Sequence, residues 1–123
     1  MTSSICTRLL NKMWRLYEVD EIPHLEGIYV IGLTHPFKKP EVVYVGRSND
    51  VHRRMVEHKR QDLAVDVFVQ EQFDDNGGED LRVKWIKENN PEATESQYIE
   101  CIAQKLGYWP RYNIRRWTQR KYK

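Results

Sequence analysis

Two β-rich runs lie close together near the start of the chain: Gly27–Leu33 (GIYVIGL) and Val42–Gly46 (VVYVG), with eight polar, proline-bearing residues between them. This pair constrains the fold more than any other feature. Val, Ile and Tyr suit a pleated, half-buried surface. Pro36 and Pro40 bar a helix or a ladder strand from running through the connection. Two such runs on a short polar loop form an antiparallel hairpin.

A third strand is expected at Leu81–Lys87, where Leu81, Val83 and Trp85 alternate with Arg82 and Lys84. Asn76-Gly77-Gly78 breaks the chain before it, and Asn89-Asn90-Pro91 ends it. The other periodic segments predict helices. Over residues 3–18, Ile5, Leu9, Met13, Trp14 and Tyr17 share a stripe behind a Ser3 or Ser4 cap. Ser48-Asn49-Asp50 offers cap chemistry for a helix over 50–60, with Val51, Met55 and His58 on one face. Thr94 is read as the cap of a last helix carrying Tyr98, Ile99, Ile102 and Leu106, closed by Gly107. The run 63–73 fits a helix (Val65, Phe68, Val69, Phe73) as well as a strand (Val65, Val67, Val69). The expectation is a small α/β (α+β) domain: a three-stranded antiparallel sheet flanked by helices, with an extra N-terminal helix.

At 123 residues, 40% of them hydrophobic, the chain has room for one domain with its own core. No stretch approaches the ~18 apolar residues of a membrane span, and the N-terminus lacks a secretory apolar run. Cys6 and Cys101 are too few for a zinc finger or a disulfide framework, and read as buried thiols of an intracellular protein of the cytoplasm or nucleus. The net charge of +2 hides an asymmetry. His52–Arg60 and Arg111–Lys123 are basic, whereas 66–80 holds six acids and no base. Such segregation suits a molecule that turns one face to a polyanion.

The chemistry-bearing residues begin on the hairpin. Tyr29 and Tyr44 occupy the paired strands; Arg54 follows ten residues after Tyr44, and His58 lies one helical turn further on the same face. Arginine offers a planar fork to two phosphate oxygens, and histidine exchanges protons near neutral pH. In order, Gly27-Ile28-Tyr29, Tyr44-Val45-Gly46, Arg54 and His58 resemble the motifs of the GIY-YIG nuclease superfamily. ESQYIECIAQKL and Pro110-Arg111-Tyr112-Asn113 are similar to that family's glutamate helix and terminal P-x-Y-N segment. The resemblance covers residues 27–114.

The resemblance implies a helix at 63–73 and a nuclease domain over 26–114, between an N-terminal helical extension (1–25) and a basic tail (115–123). It implies a metal-dependent endonuclease on DNA, with RNA as an alternative substrate and a non-catalytic nucleic-acid-binding module as an alternative role. One Mg²⁺ or Mn²⁺ ion would be held by a glutamate. Glu100 is favoured over Glu95 because it lies 13 rather than 18 residues before Asn113, nearer the family's usual gap. Tyr29 would act as base or orient the attacking water, with Tyr44 nearby. Arg54 would grip the phosphate, and His58 would shuttle a proton or touch phosphate. Arg47 would supply positive field and, with Arg53, Asn113, Arg115 and Arg116, contact nucleic acid; Asn113 would also tie the C-terminal segment to the site by side-chain hydrogen bonds. Gly27 and Gly46 would serve the motif backbone.

Overall fold

The computed structural model of the chain describes residues 4–114. The basic tail, with Arg115 and Arg116, lies outside the described residues. The elements in order are α1 (Thr7–Leu10), β1 (Arg15–Leu16), a 3-10 turn (Val19–Glu21), β2 (Gly27–Leu33), β3 (Glu41–Ser48), α2 (Val51–His58), α3 (Ala64–Asn76), β4 (Leu81–Lys87) and α4 (Pro91–Leu106). They build an α+β domain around one antiparallel sheet in the order β1-β4-β2-β3.

The hairpin and the third strand form where the residue pattern places them. β2 is central and covered on both faces, which explains its unbroken apolar run. Tyr29, Ile31 and Val43 face Val51 and Met55 of α2 and Val65, Phe68 and Val69 of α3. Ile28, Val30, Val42 and Val45 face Leu9 and the Tyr98, Ile99 and Ile102 side of α4. Val42 and Val45 share a face because the β2–β3 register slips between Ile31 and Gly32.

The N-terminal expectation is corrected. Residues 3–18 do not form one helix, and the sheet has four strands, not three. Leu9 packs into one core cluster and Tyr17 into the cluster on the other side of the sheet. One helix cannot reach both faces. The chain instead stops α1 at Asn11 and crosses the sheet edge as β1, pairing Arg15 with Val83 and Leu16 with Arg82. Met13 is left 84% exposed. Packing across the sheet overrides a helical stripe that existed only in projection.

The cysteine expectation is corrected too. Cys6 and Cys101 are buried, but as a disulfide and not as two thiols. α1 docks on α4 and brings their Cα atoms to 5.8 Å, inside the range a disulfide spans. The bond joins residues 95 apart; in the chain-entropy account a closure of that size stabilises by roughly 4–5 kcal/mol.

The helix boundaries follow from their caps. Asp50 caps α2 by accepting the Arg53 N–H at 3.0 Å. That bond, with His24 beside it, holds the Asp50 carboxyl below its ordinary range. α3 closes on Gly77 (φ 70°) and α4 on Gly107 (φ 80°), positions where a side chain would be strained. α4 starts at Pro91, one turn earlier than the Thr94 reading. Proline lacks the N–H that a first turn leaves unbonded, so here it begins the helix instead of ending the strand region.

The topology fixes where a site can form. β3 and β4 both run antiparallel to β2, so they leave the sheet at the same end and flank Gly27. β3 passes through Asn49-Asp50 into α2, and β4 through Glu88-Asn89-Asn90 into α4. Two helix N-termini therefore open at one end of the sheet, one on each face.

Candidate active site

Tyr29 stands two residues into β2 from that end, paired with Gly46 on one side and Trp85 on the other. Its ring lies over Gly46: a Cβ there would sit 2.5 Å from the Tyr29 Cζ and hydroxyl. Gly27 is required for a different reason, since a Cβ on it would lie 2.1 Å from the Ile86 carbonyl oxygen of β4.

The Tyr29 hydroxyl donates to His58 Nε2 at 2.6 Å, and His58 Nδ1–H donates to Asp66 Oδ1 at 2.5 Å. The donor assignment follows from the partners: the phenol carries a proton and the carboxylate accepts one. All three side chains are fully buried. Burial, then the Arg54 charge, push the His58 imidazole down to about 4 against the opposing pull of Asp66. It is thus neutral at physiological pH, with one nitrogen free of a proton. Burial raises the Tyr29 phenol well above its ordinary value; Tyr44 and Glu95 add to the rise and Arg54 opposes it. The half-buried Tyr44 ring lies 6.1 Å from Tyr29 and 5.6 Å edge-on from His58.

Asp66 is the residue that sequence reasoning missed. It lies in a segment read for its charge, and α3 carries it to His58. A lone acid inside Ala64–Val65–Asp66–Val67–Phe68 was the available signal. The carboxylate also accepts the Leu63 N–H at 3.0 Å, which ties the start of α3 to the same group.

Arg54 and Arg53 part company as adjacent helix residues must. The Arg54 side chain is 15% exposed, 3.9 Å from Asp66, 3.6 Å from Glu57 and hydrogen-bonded to Gln61. Arg53 is 54% exposed and bonds Asn49 at 2.7 Å. Both line a cleft of about 380 Å³ with Arg47 and Asn49 from the β3 exit and Asn90 and Glu92 from the start of α4. The cleft therefore straddles the sheet end where the two helices begin. Tyr29 does not line it; Arg54, 3.9 Å from Asp66, does.

The two candidate glutamates sit in different surroundings. Glu100 is exposed on α4. Glu95 is 6% exposed, its Oε1 lies 3.5 Å from Arg47 Nε, and its charge reaches Tyr29. Among the described residues no group of three or more His, Cys, Asp or Glu is placed to hold a metal ion. A single carboxylate nevertheless suits Mg²⁺, which keeps several waters and takes one or two carboxylates. Glu95 fits that requirement, sharing its carboxylate with Arg47.

Of the two roles expected of Asn113, its hydrogen bonds serve the tying one and leave its amide spent within the fold. It is 5% exposed and spent on β3: its Oδ1 accepts the Val45 N–H at 2.9 Å, and its Nδ2 donates to the Val45 carbonyl at 3.0 Å. It ties the C-terminal segment to the strand that carries Tyr44.

The buried histidine sets a pH dependence. His58 is held near 4 in the fold, below the ~6.5 of an unfolded chain, so the unfolded state binds the proton first as pH falls. Its contribution to stability is complete above about 6.5 and drains away toward pH 4. The denaturant midpoint at pH 4.5 should fall well below that at pH 7, and His58→Gln should remove most of this slope. An unchanged slope in the variant would assign the acid sensitivity elsewhere.

Tyr29, Tyr44, Arg54 and His58 thus come together, with Arg47 and Arg53 at the neighbouring cleft and Glu95 behind it, 3.5 Å from Arg47. This chain matches no protein-family model, and no curated protein or solved structure is significantly similar to it.

Proposed function

We propose that the chain is a metal-dependent endonuclease of the GIY-YIG type that hydrolyses phosphodiester bonds in DNA. The observation that carries the reading is the buried Tyr29–His58–Asp66 hydrogen-bond chain behind Arg54, at the edge of an arginine-lined cleft.

Such a chain answers the difficulty of using tyrosine as a base. A phenol raised above 10 is never a phenolate at neutral pH. It does not need to be. As the Tyr29 oxygen takes a proton from water, its own proton passes to His58 Nε2, and Asp66 stabilises the imidazolium that results. The water oxygen bonds to phosphorus, and the bond to the leaving oxygen breaks. Arg54, adjacent to the cleft, supplies fork donors for the phosphate oxygens on which charge gathers. Glu95, beside Arg47, would hold one Mg²⁺ or Mn²⁺ ion. When bound, that ion supplies Lewis-acid polarisation of the phosphate and relief of the leaving oxygen.

A non-catalytic nucleic-acid-binding module is the second reading, favoured by one observation: Tyr29 has no exposed surface and does not line the cleft. Supercoiled plasmid separates the two. A nuclease nicks it with Mg²⁺ or Mn²⁺ and stops in EDTA; a binding module retards it without nicking. Because arginines read phosphate rather than sugar, RNA belongs in the same assay. Among the described residues no helix is long and apolar enough to cross a membrane. Placement in the cytoplasm or nucleus belongs to this proposal, and the reducing thiols there would open the Cys6–Cys101 bond.

A further inference from the structure

A second groove, of about 260 Å³, lies away from the arginine cleft, between the Lys12–Arg15 segment and β4. Trp85 and Lys84 line it from the strand; Lys12, Met13 and Arg15 line it from the crossing segment. Three of its five lining residues are cationic and none is acidic. The Arg15 guanidinium sits 5.6 Å over the Trp85 ring. Lys84 sits 4.3 Å over the Trp14 ring and donates to the Leu10 carbonyl at 2.9 Å and the Lys12 carbonyl at 3.3 Å, which fixes the wall of the groove. Burial pushes its ammonium down to about 8, so it remains charged at neutral pH.

Position adds a second argument. Trp85 is the cross-strand partner of Tyr29, and Lys87 the partner of Gly27, so both project on the Tyr29 face of the sheet. Arg15 pairs with Val83 on that same face. Cation, aromatic ring and cation therefore follow one another from Arg15 through Trp85 to the exposed Lys87, toward the end of the sheet where the arginine cleft opens. The half-buried Trp85 ring, with Arg15 over it and Lys87 further along the strand, offers an aromatic surface for a base and donors for nearby phosphates.

We propose that this groove, with Lys87 beyond it on the same strand, is a single-strand nucleic-acid subsite in which a base stacks at Trp85 while Arg15 and Lys87 hold phosphates on either side. The class of ligand rests on the nuclease reading; the groove itself does not.

The test measures binding of a fluorescein-labelled oligothymidylate to the full chain in EDTA, across a salt series, so that cleavage plays no part. Arg15→Ala with Lys87→Ala, both exposed side chains, should lower the slope of log K against log salt by about 1.4 for two lost contacts. Trp85→Leu should weaken binding roughly 5- to 100-fold, and Trp85→Phe should recover part of it. Thermal unfolding of each variant reports whether the fold survives, and the exposed Arg15/Lys87 pair stands as the test if the Trp85 variants do not fold. No binding by the wild type, an unchanged slope in the double variant, or unchanged affinity in a folded Trp85→Leu overturns the proposal. Plasmid nicking is scored separately. Nicking without Trp85-dependent binding removes only the subsite; Trp85-dependent binding without nicking removes only the nuclease.

Discussion

Arg54→Ala should lower plasmid nicking about a hundred- to a thousand-fold, the usual cost of deleting one donor aimed at developing charge, while Arg53→Ala should weaken binding with little effect at saturating DNA. The two residues are adjacent in sequence and share the cleft, so charge alone does not separate them. Burial and partners do. Arg54 is held against Asp66, Glu57 and Gln61, with 15% of its side chain exposed, and its field acts on both His58 and Tyr29. Arg53 reaches outward to Asn49 and Glu57, with 54% exposed. Removing Arg54 also takes away a charge that disfavours protonated His58, so the imidazole should titrate at a higher pH in the variant. Arg54→Lys keeps the charge without the fork and should recover only part of the rate. If Arg53→Ala is the inactive variant instead, the phosphate clamp belongs to the exposed arginine.

The legible parts of the fold are those where a local pattern and its burial coincide. GIYVIGL and VVYVG are β-rich and bounded by prolines, and they pair as read, with Tyr29 and Tyr44 delivered beside His58. Leu81–Lys87 keeps the boundaries read for it, but it is covered on both faces: Leu81 and Val83 join one core cluster, Ile86 joins the other, and Lys84 is buried. Residues 63–73 were open on periodicity alone and form α3, as the family resemblance implied. The failures share a cause: a pattern in sequence does not say which face of the sheet a residue meets. Leu9 and Tyr17 sit on one helical stripe in projection, yet they belong to opposite sides of the sheet. Asp66 looked like one acid among six and is instead the buried partner of His58. Asn113, expected both to tie down the C-terminal segment and to touch nucleic acid, closes onto the backbone of Val45 and does the first.

Glu95→Gln should reduce nicking to background, whereas Glu100→Gln should leave it within about twofold of wild type, since exposed substitutions away from such features are close to neutral. Counting back from Asn113 favours Glu100, but a residue count carries no azimuth. Five residues on a helix turn through roughly 140°, so a helix that aims Glu95 at Arg47 must turn Glu100 away. α4 packs its Tyr98, Ile99 and Ile102 side on the sheet, and that register leaves Glu100 in solvent. Glutamine keeps the shape and hydrogen-bonding oxygen of Glu95 while removing the charge that would hold a divalent ion. The fold should tolerate the change, because the Arg47 left behind is 41% exposed and water can solvate it. Unchanged thermal unfolding with lost nicking therefore marks a functional carboxylate, and raised Mn²⁺ should restore none of the activity. Nicking that survives Glu95→Gln and disappears with Glu100→Gln would mean that α4 presents its other side to the substrate.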